Sequence, residues 1–192
     1  MNRVAVAVSV WYCLLTSSKL RADAVVVTRA MSAPTIVEFF VERNKLRVEL
    51  EIGSTDLPAF RNLLPDSVYR RLYQDSSTAE QRLAQFFRQD FPFRFDQSPP
   101  AVGKVTRLAA RQRIVRDELK GQPIPDQPTE GELVVYAELA VPIVDDPSTL
   151  TIHPPSDDQQ RPAASIGFAC YHMDLPVTEF RYLAGEETLN LN

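Results

Sequence analysis

A strict alternation of apolar and charged residues over Leu46–Ile52 (LRVELEI) constrains this chain more than any other feature. A period of two is typical of a strand that buries one face and turns the other to water. Thr35–Glu42 (TIVEFFVE), which is rich in β-branched and aromatic residues, precedes it across the short polar break Arg43-Asn44-Lys45. The two segments therefore predict an antiparallel hairpin, in which we expect Arg47 and Glu49 to face water.

The apolar spacing becomes helical after this hairpin, and it predicts a small helical insertion around residues 55–90. Ser54 or Thr55 is suited to cap the first helix, with Asp56 at its positive end. Ser76-Ser77-Thr78 indicates the start of another helix, because a glutamate and a glutamine follow it within three residues. The insertion ends at Phe91–Phe95 (FPFRF), whose proline limits this strand to the edge of a sheet.

The basic segment Lys104–Lys120 (KVTRLAARQRIVRDELK) fits a strand or a helix, and the flanking Gly103 and Gly121 favour a long strand. It contains six lysines and arginines in a chain that has 21 basic and 25 acidic residues. Such a stretch can contact phosphates or acidic lipid, but no aromatic residues for stacking lie between its charges. We interpret it as a solvated strand face that neighbouring acids balance, and we expect no nucleic-acid partner.

The rest of the chain predicts short strands separated by turns rich in proline and aspartate. They cover Leu133–Val144, Leu150–Ile152, Ala164–Tyr171, Val177–Leu183 and Thr188–Leu191. The segment Ala164–Tyr171 is apolar throughout, which is typical of a central strand. The fold class that follows is mainly β, an antiparallel β-sandwich of the immunoglobulin-like kind with a small helical insertion around residues 55–90.

The first 24 residues have the composition of a secretory signal peptide. Arg3 precedes the apolar run Val4–Leu15, and the small residues of Ala22-Asp23-Ala24 follow. The run is shorter than the roughly 18 residues that span a bilayer. We expect cleavage at a site between residues 24 and 33, a single β-rich domain over residues 34–192, and a periplasmic or extracellular location. The alternative is a cytoplasmic protein that starts at Met31 and contacts nucleic acid through its basic segment.

Cys170, His172 and Asp174 are the best candidate metal ligands. Alternate residues of a strand point to the same side, and thiolate, imidazole and carboxylate groups together suit Zn²⁺ or Cu²⁺. The other histidine, His153, lies upstream as a further ligand. The competing interpretation is a buried small thiol beside a histidine that bonds to backbone groups.

The sequence shows no motif of a nucleotide-binding loop, a hydrolase nucleophile or a zinc protease, so it predicts no catalytic residue and no cofactor. The acidic doublets Asp145-Asp146, Asp157-Asp158 and Glu186-Glu187 are expected to be solvated turns. A net charge of −4 provides no general attraction to nucleic acid or to anionic lipid. The balance favours a protein that is not an enzyme.

Three stretches, PTIVEFFVERNKLRVELEIG, FRNLLPDSVYRRLY and ASIGFACYHMDLPVTEFRYLAGEETLNLN, resemble a family of uncharacterised bacterial proteins that carry signal peptides. The resemblance spans Pro34–Asn192 and implies export, but it implies no activity and no cofactor. Members of that family are longer and end in a membrane helix, so the resemblance implies that this chain is the N-terminal part of a longer protein.

These observations together predict an extracytoplasmic interaction or structural module of unknown specificity. Its expected partner is another extracytoplasmic protein or the rest of a longer chain, with membrane contact only through a C-terminal anchor. The alternative function is metal binding through Cys170, His172 and Asp174.

Overall fold

The computed structural model describes residues 29–117, 124, 132–144 and 146–191. Strands dominate this part of the chain. They are β1 (Thr35–Val41), β2 (Lys45–Ile52), β3 (Phe93–Phe95), β4 (Lys104–Gln112), β5 (Leu133–Pro142), β6 (Thr149–Ile152), β7 (Ile166–His172), β8 (Leu175–Tyr182) and β9 (Glu187–Asn190). The prediction of a mainly β fold is confirmed, whereas the expected signal peptide lies outside the described residues.

The large sheet has six strands in the order β4-β5-β2-β1-β7-β8. At its centre, β1 and β2 form the predicted hairpin, in which Thr35 lies opposite Ile52 and Val41 opposite Leu46. The apolar segment β7 is also central, as predicted, but it pairs with β1 in parallel. The large sheet is therefore not antiparallel throughout. Parallel neighbours require a long crossover connection, and the chain between β1 and β7 provides it.

The main core lies between one face of the large sheet and a small sheet in the order β3-β6-β9. Phe39 on β1 contacts Phe93 on β3 edge to face, with ring centroids 6.3 Å apart. Phe168 on β7 contacts Phe39 in a similar geometry at 6.4 Å. Each fully buried aromatic ring contributes roughly 1.5–3 kcal/mol to folding, so these rings hold the two sheets together. Strand β3 is at the edge of its sheet, as the proline before it predicts.

The helical insertion is confirmed as a 3₁₀ helix (Leu57–Leu63), α1 (Asp66–Tyr73), α2 (Ala79–Gln85) and a π turn (Phe86–Asp90). Thr78 and Gln81 form a reciprocal capping box at the start of α2. The expectation that Ser54 or Thr55 caps the first helix is wrong, because Asp56 occupies the capping position. Its side chain makes no capping hydrogen bond there. Within the described residues, no helix combines the length and apolar character needed to cross a membrane.

Strand β4 confirms that the basic segment begins as a strand, but this strand ends at Gln112 rather than at Lys120. Residues 113–117 are irregular, and 118–120 lie outside the described residues. Their arginines cover the second face of the large sheet, the face opposite the main core.

A short helical turn at residues 29–31 packs on the second face beside β7 and β8. Ala30 and Ala33 are buried there against Ile36, Ala169 and Phe180. The Tyr182 hydroxyl donates a hydrogen bond to the Arg29 carbonyl at 2.9 Å. The packing of the domain therefore includes residues that precede the expected boundary at Pro34.

Candidate functional site

Cys170 lies on β7 and faces the main core, where its side chain has no solvent exposure. Burial raises the pKa of its thiol to about 12, because the apolar surroundings disfavour the thiolate. The thiol is therefore protonated at neutral pH, whereas metal ions bind the thiolate. This environment matches the competing interpretation of a buried small thiol.

His172 and Asp174 extend from the same strand into the turn that follows. His172 Nδ1 lies 2.6 Å from the Leu191 carbonyl oxygen, so this nitrogen carries the proton and donates it. Asp174 is exposed in the turn with φ 65°, and His153 contacts Glu186 elsewhere. In the described part of the chain, no group of three histidine, cysteine or acidic side chains is placed to hold a metal ion. Metal binding by the three residues stays a prediction.

Arg111, Arg113 and Arg116 of the basic segment turn inward rather than forming the solvated face that we expected, whereas Arg107 is exposed as expected. The two Nη atoms of Arg113 donate to the carbonyls of Ala33 and Pro34, the former at 2.8 Å. The guanidinium of Arg111 lies 3.6 Å above the ring centroid of Tyr136. That expectation is wrong for these residues, because acids and carbonyls of distant strands provide partners on the sheet.

A buried ion-pair network joins Arg116 to two glutamates of the second face. Arg116 Nη2 lies 2.6 Å from Glu38 Oε2, and Nη1 lies 3.0 Å from Glu51 Oε2. Glu51 Oε1 also accepts hydrogen bonds from Arg111 at 2.9 Å and from the Ile114 backbone N–H at 3.1 Å. Each of the three central side chains is at most 7% exposed. The network thus fixes the irregular residues 113–117 to the sheet.

The pKa of Arg116 is raised although the residue is buried. Burial alone would lower it, but the attraction of Glu38 and Glu51 and the hydrogen bonds to them outweigh this effect. The guanidinium is therefore positive at any physiological pH. Since its charge is used internally, Arg116 is unsuited to contact phosphates.

Arg47 and Glu49 on β2 form an ion pair with each other, and each side chain is about one quarter exposed. The Arg47 guanidinium also lies 3.9 Å above the Phe40 ring, which in turn stacks on Tyr171 at 5.1 Å. The expectation that Arg47 and Glu49 face water is therefore only partly met, because aromatic neighbours on β1 and β7 shield the arginine.

The acidic doublets differ in their surroundings where they are described. Asp157 accepts backbone N–H bonds from Gln159 and Arg161 and pairs with the Arg161 guanidinium at 2.7 Å. Glu187 pairs with Arg181 on β8. Asp145 lies outside the described residues. Asp157 thus serves a turn, as expected, whereas Glu187 is the first residue of β9 and is only partly exposed, so the expectation of a solvated turn is wrong for it.

A groove of about 540 Å³ opens where β2 and β4 begin and β5 ends, and we call it the lysine groove. Its lining includes Lys45, Val102, Lys104, Thr106, Val141 and Pro142. Gly103 allows this closure, since a Cβ there would lie 2.5 Å from Val141 Cγ2 and 2.6 Å from the Ala140 carbonyl. No carboxylate is among the described residues that line the groove.

The two lysines of this groove differ in their partners. Lys45 pairs with Glu42 at 3.2 Å across an exposed surface, where such a pair stabilises the protein by at most about 1 kcal/mol. Lys104 forms no ion pair with any described residue. Lys104 is therefore available to an anionic ligand above a partly apolar floor, and Lys45 can join it by giving up its weak, exposed pair with Glu42.

Sequence analysis did not find the lysine groove, because its lining comes from three segments that are distant in the chain. It also missed the buried role of Glu38 and Glu51. One indication was present in the sequence: Glu38 interrupts the apolar run of β1, and a buried acid in such a run requires a cationic partner.

No protein-family model matches this chain, and a comparison with curated protein sequences finds no similar protein.

Proposed function

We propose that this domain is a non-enzymatic interaction module that binds a carboxylate-bearing, extended segment of a partner protein in the lysine groove. The observation that carries the proposal is the groove itself, where Lys45 and Lys104 flank Val102, Val141 and Pro142 with no acid among the described lining residues. The volume of about 540 Å³ is within the usual range of binding sites, roughly 300–1,000 Å³.

The charge of the groove contrasts with that of the chain. The chain has a net charge of −4, so the overall electrostatic field of the protein does not attract an acidic partner. Selectivity for a carboxylate therefore has to come from local cations. An acidic side chain or a C-terminal carboxylate next to an apolar residue fits the two lysines and the apolar floor of the groove.

The location of the module and its family are part of the same proposal. The signal-peptide pattern of residues 1–24 supports export to the periplasm or the exterior. The partner is then another extracytoplasmic protein or the rest of a longer chain that includes a membrane anchor, as the family resemblance implies. The immunoglobulin-like topology also belongs to this proposal, supported by two packed sheets whose pairings are antiparallel except between β1 and β7.

A random-peptide selection tests the groove. The purified protein is immobilised and exposed to a library of short peptides with free carboxyl ends. We expect enrichment of peptides with aspartate, glutamate or the terminal carboxylate beside apolar residues. The double variant Lys45→Ala/Lys104→Ala should bind the enriched peptides about tenfold more weakly or worse, the loss of about 1.4 kcal/mol expected for charged contacts.

The matched control is Arg88→Ala/Arg94→Ala, which also removes two exposed positive charges but lies outside the groove. Its affinity for the enriched peptides should remain that of the unchanged protein. Enrichment of only basic or uncharged peptides, no enrichment at all, or an equal loss in both double variants would each refute the proposed function.

A further inference from the structure

The described part of the chain contains three buried carboxylates, and one of them lacks a cation. Glu38 and Glu51 share Arg116, as described above. Asp56 is only 7% exposed, yet it lies within 4.0 Å of no described lysine, arginine or histidine side chain. A buried carboxylate without a compensating charge is costly, so its environment needs an explanation.

The hydrogen bonds of Asp56 leave half of its carboxylate unused. Oδ2 accepts a hydrogen bond from the Thr35 hydroxyl at 2.7 Å, which is a neutral donor. Oδ1 accepts none from the described residues, although Asp56 occupies the capping position of the 3₁₀ helix. Oδ1 is not among the fully buried polar atoms without a partner. As far as the described residues go, it therefore keeps room for a donor, and a charged donor would fill it best.

Asp56 lies in the wall of a second groove, of about 430 Å³, which we call the aspartate groove. Its other lining residues include Pro162, Ala164, Ile166, Tyr182 and Leu183. Ala164, Ile166 and Leu183 belong to the core and are at most 8% exposed, so the accessible apolar surface beside Asp56 comes mainly from Pro162 and Tyr182. A single carboxylate in an apolar cleft of this size is the arrangement expected for a small cationic ligand with a short apolar body.

We propose that the aspartate groove binds a small primary organic ammonium ion. The ammonium group donates to Asp56 Oδ1, and its alkyl chain packs against the exposed Pro162 and Tyr182. The two grooves share no lining residue, so this site does not depend on the proposed peptide-binding function.

The test is a titration of the full chain with n-butylammonium chloride, followed through the backbone amide resonances of Ser165, Leu183 and Ala184. We expect saturable shifts at these amides with a dissociation constant of about 10 mM or tighter. The uncharged analogue butan-1-ol should bind about tenfold more weakly, because it lacks the charge-assisted hydrogen bond.

Asp56→Asn is the decisive variant, because it preserves the shape and an acceptor for Thr35 but removes the charge. It should weaken butylammonium binding about tenfold and leave butan-1-ol binding unchanged. Glu80→Gln removes one exposed charge from α2, outside the groove, and should have no effect. A spectrum of native dispersion for Asp56→Asn confirms that it folds.

Four results would overturn the proposal: no saturable shift with butylammonium, equal binding of butan-1-ol, unchanged binding to Asp56→Asn, or equal weakening by Glu80→Gln. A further titration with Nα-acetyl-lysine-N-methylamide distinguishes the source of the ammonium group. Binding of this lysine analogue about tenfold tighter than butylammonium would assign the groove to a lysine of a partner protein, against the small ligand proposed.

Discussion

Arg116 is the residue on which the second face of the large sheet most depends, because it neutralises both Glu38 and Glu51. We expect Arg116→Met, which keeps much of the side-chain volume, to lower the free energy of unfolding by about 3–5 kcal/mol, since it leaves Glu38 buried without a cation and Glu51 with Arg111 alone. Urea denaturation measures the loss. The control Arg88→Met changes an exposed arginine and should stay within about 0.5 kcal/mol. Equal values for the two variants would show that the buried pairs contribute no net stability.

Asp96 makes the stability of one turn depend on the pH. Hydrogen bonds from the Ser148 and Thr149 hydroxyls and backbone N–H groups hold the pKa of its carboxyl below the ordinary value of 3.8. A lowered folded-state pKa contributes stability that is present above the unfolded-state value and is lost as the pH falls through the folded-state value. The contribution is therefore complete at neutral pH, begins to decline near about pH 4 and is lost only below the folded-state pKa.

The variant Asp96→Asn tests this linkage, and asparagine tolerates the φ of 49° at this position. We expect it to be less stable than the unchanged protein at about pH 7, with the difference shrinking at about pH 3 as Asp96 protonates. Urea denaturation at both pH values measures the difference. Asp158→Asn, at an exposed turn residue, is the control and should show a much smaller difference at either pH. A constant difference for Asp96→Asn would contradict the linkage.

At the level of elements, Gly167 on β7 allows the turn at residues 29–31 to pack on the sheet. A Cβ at Gly167 would lie 1.8 Å from the Ala30 carbonyl oxygen, a distance that no side chain tolerates, so the turn has to move. We expect Gly167→Ala to lower the free energy of unfolding by about 1–3 kcal/mol, and to speed tryptic cleavage after Arg29 in the native protein. Gly185→Ala is the matched control, because nothing lies within 4 Å of the added methyl group. Unchanged cleavage in Gly167→Ala would refute this packing.

Elements with a local pattern were predictable, and elements fixed by distant partners were not. The alternation of β2 sets its buried face within eight residues, and Thr78 with Gln81 marks a helix start within four. Strand β4 ends at Gln112 because the residues after it bind Glu51, more than 60 positions earlier in the chain. Neither composition nor period contains that information, so the predicted strand was too long.

At the scale of the whole molecule, a mainly β fold was predictable from the number of short strands, but the order of the strands in the two sheets was not. The parallel pairing of β1 with β7 joins segments that are 131 positions apart, from Thr35 to Ile166. Both grooves arise in the same way, since each is lined by residues that are distant in the chain. The sequence therefore predicted the layers of the fold and not the surfaces on which the proposed binding depends.

Packing of the whole domain also bears on where an exported chain would be cut. Ala30 is fully buried and Ala33 nearly so, so a cut between residues 30 and 33, or a start at Met31, removes part of the packed turn. Cleavage after Ala24 leaves residues 29–33 intact, and it removes Trp11, the only tryptophan. We therefore expect protein purified from the cell envelope of its native host to begin at Val25 and to show tyrosine emission without a tryptophan band.

N-terminal sequencing and intact mass measure this outcome directly. The double variant Ala22→Leu/Ala24→Leu blocks the small-residue site, so it should keep residues 1–24 and with them the tryptophan emission. The variant Ala33→Gly lies inside the packed turn and outside that site, and its N-terminus should stay at Val25. Protein that begins at Met1 or Met31 and is recovered from the soluble cell extract would overturn the proposed export. It would also favour the cytoplasmic alternative, which excludes an extracytoplasmic partner.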